Sequence, residues 1–238
     1  SCYIRGFRVM KIKKSIFILM VFVLITILGT VLYKGEKYNL IIIASFALSC
    51  LPFFFKYENS KPKIREVVVL ATMIALTVVS RTIFMLTPSF KPVTAMVIIC
   101  GIVFGPASGF MCGSLSATLS DFVFGIGPWT PFQMIAWGII GYGAGIFSKN
   151  LFKNKFLLYG YSAICGLAFS TVMDLWSVLA FETSFNLTRY LAIVLTSLPT
   201  TLIYIVSNII FMFLLSKTMF QILQRVKIKY GITEGKIE

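Results

Sequence analysis

The chain contains no histidine. Imidazole metal ligands, Ser-His and Cys-His nucleophile pairs and the usual proton relay near neutral pH are therefore excluded. Acid is scarce as well: 8 Asp and Glu in 238 residues, against 22 Lys and Arg. The two aspartates inside apolar runs, Asp121 and Asp174, stand alone. They do not offer the acidic cluster that a membrane-embedded transferase needs for Mg²⁺. Neither lies in the Gly-x-Gly-Asp context of an aspartyl intramembrane protease. No GxxxxGK[ST] run occurs, so ATP is not bound through a P-loop. The five cysteines, Cys2, Cys50, Cys100, Cys112 and Cys165, include no CxxC pair. They read as small hydrophobes, not as a metal site or a disulfide set.

What fills the chain instead is apolar. Hydrophobic residues make up 58% and charged residues 13%, where soluble domains average about 45–50% and about 25%. That composition excludes a soluble globular fold. Runs broken by charge, Pro and Gly give eight apolar segments: 15–32, 40–55, 67–86, 93–104, 107–124, 131–147, 156–179 and 191–215. Eight spans of about 20 residues each use most of the chain and leave no room for a soluble domain. The segment 93–104 is short for a full crossing, which predicts a tilted, thin or re-entrant helix.

The net charge of +14 would suggest nucleic acid in a soluble protein. Here no basic stripe interleaved with aromatics lies outside the apolar spans, and the Lys and Arg residues read as topology signals. With the N-terminus inside, 17 of the 22 fall on the inner side and Lys34, Lys37, Arg81, Lys91 and Arg189 on the outer. This predicts cytoplasmic termini. The first apolar segment is followed by no small-x-small cleavage site and reads as an uncleaved anchor. Met10 offers a start, and on that reading residues 1–9 are an upstream extension or an added remnant, with no function expected of them. The expected organisation is a basic N-terminus (1–14), a two-helix transmembrane hairpin (15–55), a basic linker (56–65), a six-helix body (66–216) and a basic tail (217–238). The fold class is an all-α polytopic membrane protein of eight helices.

The body holds every acid that falls inside an apolar run, and all three Trp residues. Counting from helix ends places Arg81, Asp121 and Asp174 at outer-leaflet depth. A charge at the centre of a membrane helix costs at least about 2.5 kcal/mol and usually faces the bundle interior or a water-filled cavity. Arg81 pairing with Asp121 or with Asp174, and Arg81 contacting a ligand, are all open on sequence. Lys91, Gln133, Asn208, Glu182 and Arg189 share that side. Trp129 fits an interfacial belt, whereas Trp137, two turns into a helix, fits a pocket wall. The loop 125–131, Gly-Ile-Gly-Pro-Trp-Thr-Pro, is stiff and sharply turned, as either a lid or a tight turn. Small residues recur every four positions, at Gly101, Gly105, Gly109, Gly113 and Ala117, at Gly141 and Gly145, and at Ala71 and Ala75. Such spacing lets helix backbones approach closely, within this protein for the glycines. For Ala71 and Ala75 a partner's helix is the alternative.

A longer pattern runs through residues 63–150. It comprises Ala71-xxx-Ala75, Arg81, Lys91-Pro92-x-Thr94-Ala95 and Gly109-Phe110-x-x-Gly113-Ser114-Leu115. It continues through Ser120-Asp121-Phe122-x-Phe124-Gly125-x-Gly127-Pro128-Trp129-Thr130-Pro131-x-Gln133-Met134 to Trp137-Gly138. This stretch resembles the substrate-binding S component of energy-coupling factor (ECF) vitamin transporters. The resemblance implies a six-helix bundle that holds one vitamin-like molecule at the outer side of a bacterial plasma membrane. It implies no enzyme activity, no cofactor and no metal. The partners it implies are a membrane coupling subunit, which meets the Ala71 and Ala75 face, and two cytoplasmic ATPases. The S component would topple in the membrane to carry its pocket inward. The N-terminal hairpin departs from the six-helix pattern.

Candidate substrate-binding residues are Arg81, Lys91, Asp121, Phe124, Trp129, Thr130, Gln133, Trp137, Asp174 and Asn208. The Gly-Pro-Trp-Thr-Pro-x-Gln run looks most like members assigned to cobalamin or a related corrinoid. Arg81 or Lys91 would then meet a phosphate, and Trp129 and Trp137 would stack on a planar ring. The same residues suit a pyridoxine-like vitamin or a deazapurine precursor. The rival class is a secondary transporter driven by protons through Asp121 or Asp174, although no inverted repeat is evident.

Overall fold

The structure, a computed structural model, describes residues 64–181 and 186–230, together with Val21 and Leu24. The N-terminus, the expected hairpin (15–55) apart from Val21 and Leu24, nearly all of the linker, Glu182 and the last eight residues lie outside the described residues. The regular elements described are helices: α1 (Ile64–Ile83), α2 (Val93–Phe104), α3 (Pro106–Phe124), α4 (Thr130–Ile146), the short α5 (Ser148–Lys153), α6 (Lys155–Phe181) and α7 (Leu187–Tyr230). Three of them, α1, α6 and α7, are long and apolar enough to cross a membrane.

All twelve residues of α2 are buried, so this helix forms the centre of the bundle. At about 1.5 Å per residue it reaches roughly 18 Å, well short of the roughly 30 Å hydrocarbon core. A helix wrapped on all sides by protein is not held to lipid-spanning length. Helices α3, α4, α1 and α7 pack around α2, α3 packs most extensively on α4, and α6 packs on α7. The seams of α4 with α2 and α3 are built on glycine. A Cβ at Gly101 or at Gly109 would run into the Gly141 carbonyl oxygen, and one at Gly141 into the Gly109 carbonyl oxygen. Backbones this close leave no room for a side chain. Gly105, at φ 91°, turns the chain between α2 and α3, a conformation that residues with a Cβ rarely adopt, and Pro106 opens α3 directly after it.

Helix α1 shows why one face goes in and the other out. Leu70, Met73, Ile74, Thr77 and Arg81 are buried, at spacings of three and four that make a single stripe. Val68, Ala71, Ala75 and Val79 face outward. Exposed Ile164, Leu195, Leu202 and Phe213 continue the apolar outer surface on α6 and α7. Such a surface is foreign to a soluble protein and suits lipid. Asn154 and Asn186 cap the last two helices: their side-chain oxygens accept from Phe156 N (2.9 Å) and Arg189 N (3.2 Å).

Two elements differ from the sequence expectation. Residues 148–153 form a short helix around the buried Leu151, where a plain loop was expected. The last helix continues to Tyr230, past the end of its apolar run near residue 215. It continues because its apolar residues become periodic: Phe220 packs edge-on against Phe152 at 5.4 Å, and Leu223 is buried. Lys227 Nζ donates to the Val103 carbonyl (3.0 Å), a cation at the C-terminal end of α2, where the helix dipole favours it.

Candidate functional site

Arg81 sits in the last turn of α1, on the buried stripe, 6% exposed. Its Nη1 donates to Asp121 Oδ1 at 2.8 Å and to Ser120 Oγ, and its Nη2 to Gln133 Oε1 at 3.2 Å. Ser120 and Asp121 come from the end of α3 and Gln133 from the start of α4. One guanidinium thus ties three helices together. Of the two acids open as its partner, the structure places Asp121 against it. Arg81 Nε is buried and has no hydrogen-bond partner among the described residues.

The turn between α3 and α4 is fastened to the same carboxylate. Thr130 is fully buried; its Oγ1 donates to Asp121 Oδ2 at 2.7 Å and accepts from Gly127 N at 3.3 Å. Thr130 N donates to the Gly127 carbonyl at 2.9 Å. Pro131 follows Thr130 in the first turn of α4, a place where its missing N–H is no loss. Both oxygens of Asp121 are therefore engaged, one by α1 and one by the turn.

Aromatic rings close the cluster. The Arg81 guanidinium carbon lies 4.5 Å from the Phe124 ring centre and 4.9 Å from that of Trp137. Trp137 falls on the same face of α4 as Gln133, one turn on. It donates through Nε1 to Thr94 Oγ1 at 3.3 Å, and it stacks on Phe169 of α6 at 4.7 Å and 17°. Phe169 in turn meets Tyr204 of α7 edge-on at 5.1 Å. Cation–π contacts of this desolvated kind are worth up to about 2 kcal/mol. Lys91 Nζ lies 4.4 Å from the Phe124 ring centre. Burial, and next the Arg81 charge, hold the Lys91 ammonium below the ordinary lysine pKa, with Asp121 opposing.

Lys91 belongs to the connection 84–92 between α1 and α2. Its backbone N donates to Ser207 Oγ (3.0 Å), which donates back to the Lys91 carbonyl (3.3 Å). Thr87 Oγ1 bonds the carbonyls of Phe84 and Phe90, both at 2.9 Å. Phe84 and Phe90 each lie 5.0 Å from Phe211 of α7. Ser89 adopts φ 62°, costly for a residue with a Cβ.

Of the ten expected binding residues, Arg81, Lys91, Asp121, Phe124, Thr130, Gln133 and Trp137 come together in this cluster. Trp129 covers Gly127 and meets Trp176 edge-on at 5.8 Å. Asp174 accepts from Ser197 Oγ at 2.8 Å, in a second polar patch between α6 and α7 that also holds Ser170 and Thr201. Asn208 donates to the Ser162 carbonyl at 3.2 Å and so braces α7 on α6. Ser120, Thr94, Phe169, Tyr204 and Ser207 complete the picture and were not on the expected list. Ser120 and Thr94 stand inside the quoted motifs. Phe169 and Tyr204 carry no signal within apolar runs rich in aromatics.

The chemistry available is recognition. The cluster pairs a buried, hydrogen-bonded cation with flat aromatic faces. Among the described residues no group of His, Cys, Asp and Glu is disposed to hold a metal. A family model described as ECF-type riboflavin transporter, S component, matches residues 61–221, well over half of the chain. No solved structure matches it.

Proposed function

Because this chain belongs to the family of ECF-type riboflavin transporter S components, we propose that the cluster around Arg81 is the pocket in which it captures a planar, vitamin-like molecule from outside the cell. The chain is a membrane-embedded, substrate-binding transport subunit and not an enzyme. The observation that carries the site assignment is the buried Arg81–Asp121 pair set against Phe124 and Trp137. Membrane bundles place charges at such depth where they line a substrate path. A flavin ring is flat, apolar on its faces and polar at its edge, which matches stacking surfaces beside Gln133 and Thr130. The family description supports a flavin ahead of the corrinoid expected from the motif run.

The family supports the rest of the proposed mechanism. The chain carries no ATP site of its own in the P-loop form. A coupling subunit docks on α1, and two ATPases supply the energy that topples the bundle and delivers the ligand inward across the cell membrane. Ala71 and Ala75 both lie on the exposed face of α1, which supports docking there over internal packing. Uptake of riboflavin into proteoliposomes tests this reading. Uptake is expected only when the coupling subunit and ATPases are co-reconstituted with internal ATP. Uptake by this chain alone under a pH gradient would instead establish the proton-coupled transporter.

A further inference from the structure

The Arg81 guanidinium is a flat group lying over the rings of Phe124 and Trp137. Trp137 already stacks on Phe169, and Phe124 already carries Lys91. A planar ligand that is to face both Phe124 and Trp137 meets Arg81 in the way. Taking the pocket reading above as given, we propose that Arg81 is a displaceable occupant of its own binding slot: the ligand ring takes the place of the guanidinium, and α1 shifts as the side chain moves.

Three observations carry this. The grip on Arg81 is one-ended. Its two Nη atoms are held by Ser120, Asp121 and Gln133, while Nε is buried with no hydrogen-bond partner among the described residues. A buried donor without an acceptor is rare and unfavourable, so displacement relieves one defect while it breaks the bond to Asp121. Next, Arg81 lies two residues before the end of α1, beside the connection that holds Ser89 at φ 62°. Conformations of that kind cluster at active sites, ligand clamps and switch regions. Last, α1 presents Ala71 and Ala75 on its outer face and Arg81 on its inner one. A group that moves α1 when the slot fills links the slot to whatever docks outside. By reciprocity, docking then changes ligand affinity by the same factor that the ligand changes docking.

The displacement predicts the opposite of an ordinary contact residue. Removing an arginine that binds ligand weakens binding; removing one that occupies the slot speeds entry. The test is stopped-flow quenching of riboflavin fluorescence by the purified full chain. The wild type is compared with Arg81→Ala/Asp121→Asn, which clears the slot and leaves no stranded carboxylate. Association is expected to be at least fivefold faster in the double variant, with affinity equal or higher. Should that variant fail to fold, Asp121→Asn alone keeps the shape and loosens the grip on Arg81, and it is expected to shift association in the same direction. Binding weakened tenfold or more without Arg81, or association unchanged or slower in the variant tested, overturns the displacement and leaves the pocket reading standing. No riboflavin binding by the wild type overturns the pocket reading, and this proposal with it.

Discussion

Replacing Asp121 with alanine removes two acceptors at once. Arg81 loses the oxygen at 2.8 Å and Thr130 the one at 2.7 Å. The guanidinium stays where solvent hardly reaches, at 6% exposure, over two aromatic rings. Breaking a buried pair by removing one partner is worth about 3–5 kcal/mol, because the other charge is left uncompensated. The stranded Thr130 hydroxyl adds roughly 1–3 kcal/mol. Ser120 and Gln133 still hold the guanidinium tips, so the loss is expected near about 4 kcal/mol, within the range for the pair itself. Arg81→Ala leaves Asp121 buried but still bonded by Thr130, at about 3–5 kcal/mol. The double variant Arg81→Ala/Asp121→Ala carries neither stranded charge. It is expected to be more stable than the sum of the two losses by at least about 1.5 kcal/mol, the size of coupling seen between residues of one network. Unfolding of the purified protein in mixed SDS micelles, followed by tryptophan fluorescence, measures all four corners of the cycle. Losses that add to within about 0.5 kcal/mol would refute the pairing and with it the centre of the site.

Trp137→Phe keeps one ring but loses the bond to Thr94 and part of the stacking area; riboflavin affinity is expected to fall about tenfold, about 1.4 kcal/mol, by fluorescence titration, and an unchanged value removes Trp137 from the pocket. Trp137→Ala would be a poorer probe, because the residue is buried in the core as well and its truncation costs about 3–5 kcal/mol of stability. Ala71→Trp is expected to leave riboflavin binding by the solitary chain within twofold and to abolish co-purification of the coupling subunit; intact co-purification together with lost binding would place that face inside the bundle. Gly141→Ala drives a methyl into the Gly109 carbonyl and is expected to destabilise by about 1–3 kcal/mol or more, read from the same SDS unfolding curve; wild-type stability would contradict the close α3–α4 approach.

Most of the bundle was legible because Pro and Gly punctuate it. Pro92 and Gly105 bracket α2, and the segment read as 93–104 matches the helix. The end of α7 was hidden because the reading followed hydropathy, while the helix continues on an amphipathic period after the apolar run stops. The site was legible where a charge stands in an apolar run. Arg81, Asp121 and the polar residues of the following turn were all picked out, since the bilayer makes such residues conspicuous. What sequence could not supply was pairing. The choice of Asp121 over Asp174 depends on the helix order around α2, which apolar runs do not encode. Asn208 shared the polarity and depth of the cluster residues, yet its amide braces α6. Phe169 and Tyr204 were invisible because one aromatic in an apolar helix looks like another until a tryptophan is seen stacked against it.

Native mass spectrometry of the full chain, released gently from its membrane after growth with riboflavin, tests the central claim most directly. One flavin per chain is expected, lost in Trp137→Phe at ligand concentrations that saturate the wild type only partly. A chain that carries no small molecule, or a flavin that stays bound equally well in that variant, would contradict a binding site at the Arg81 cluster.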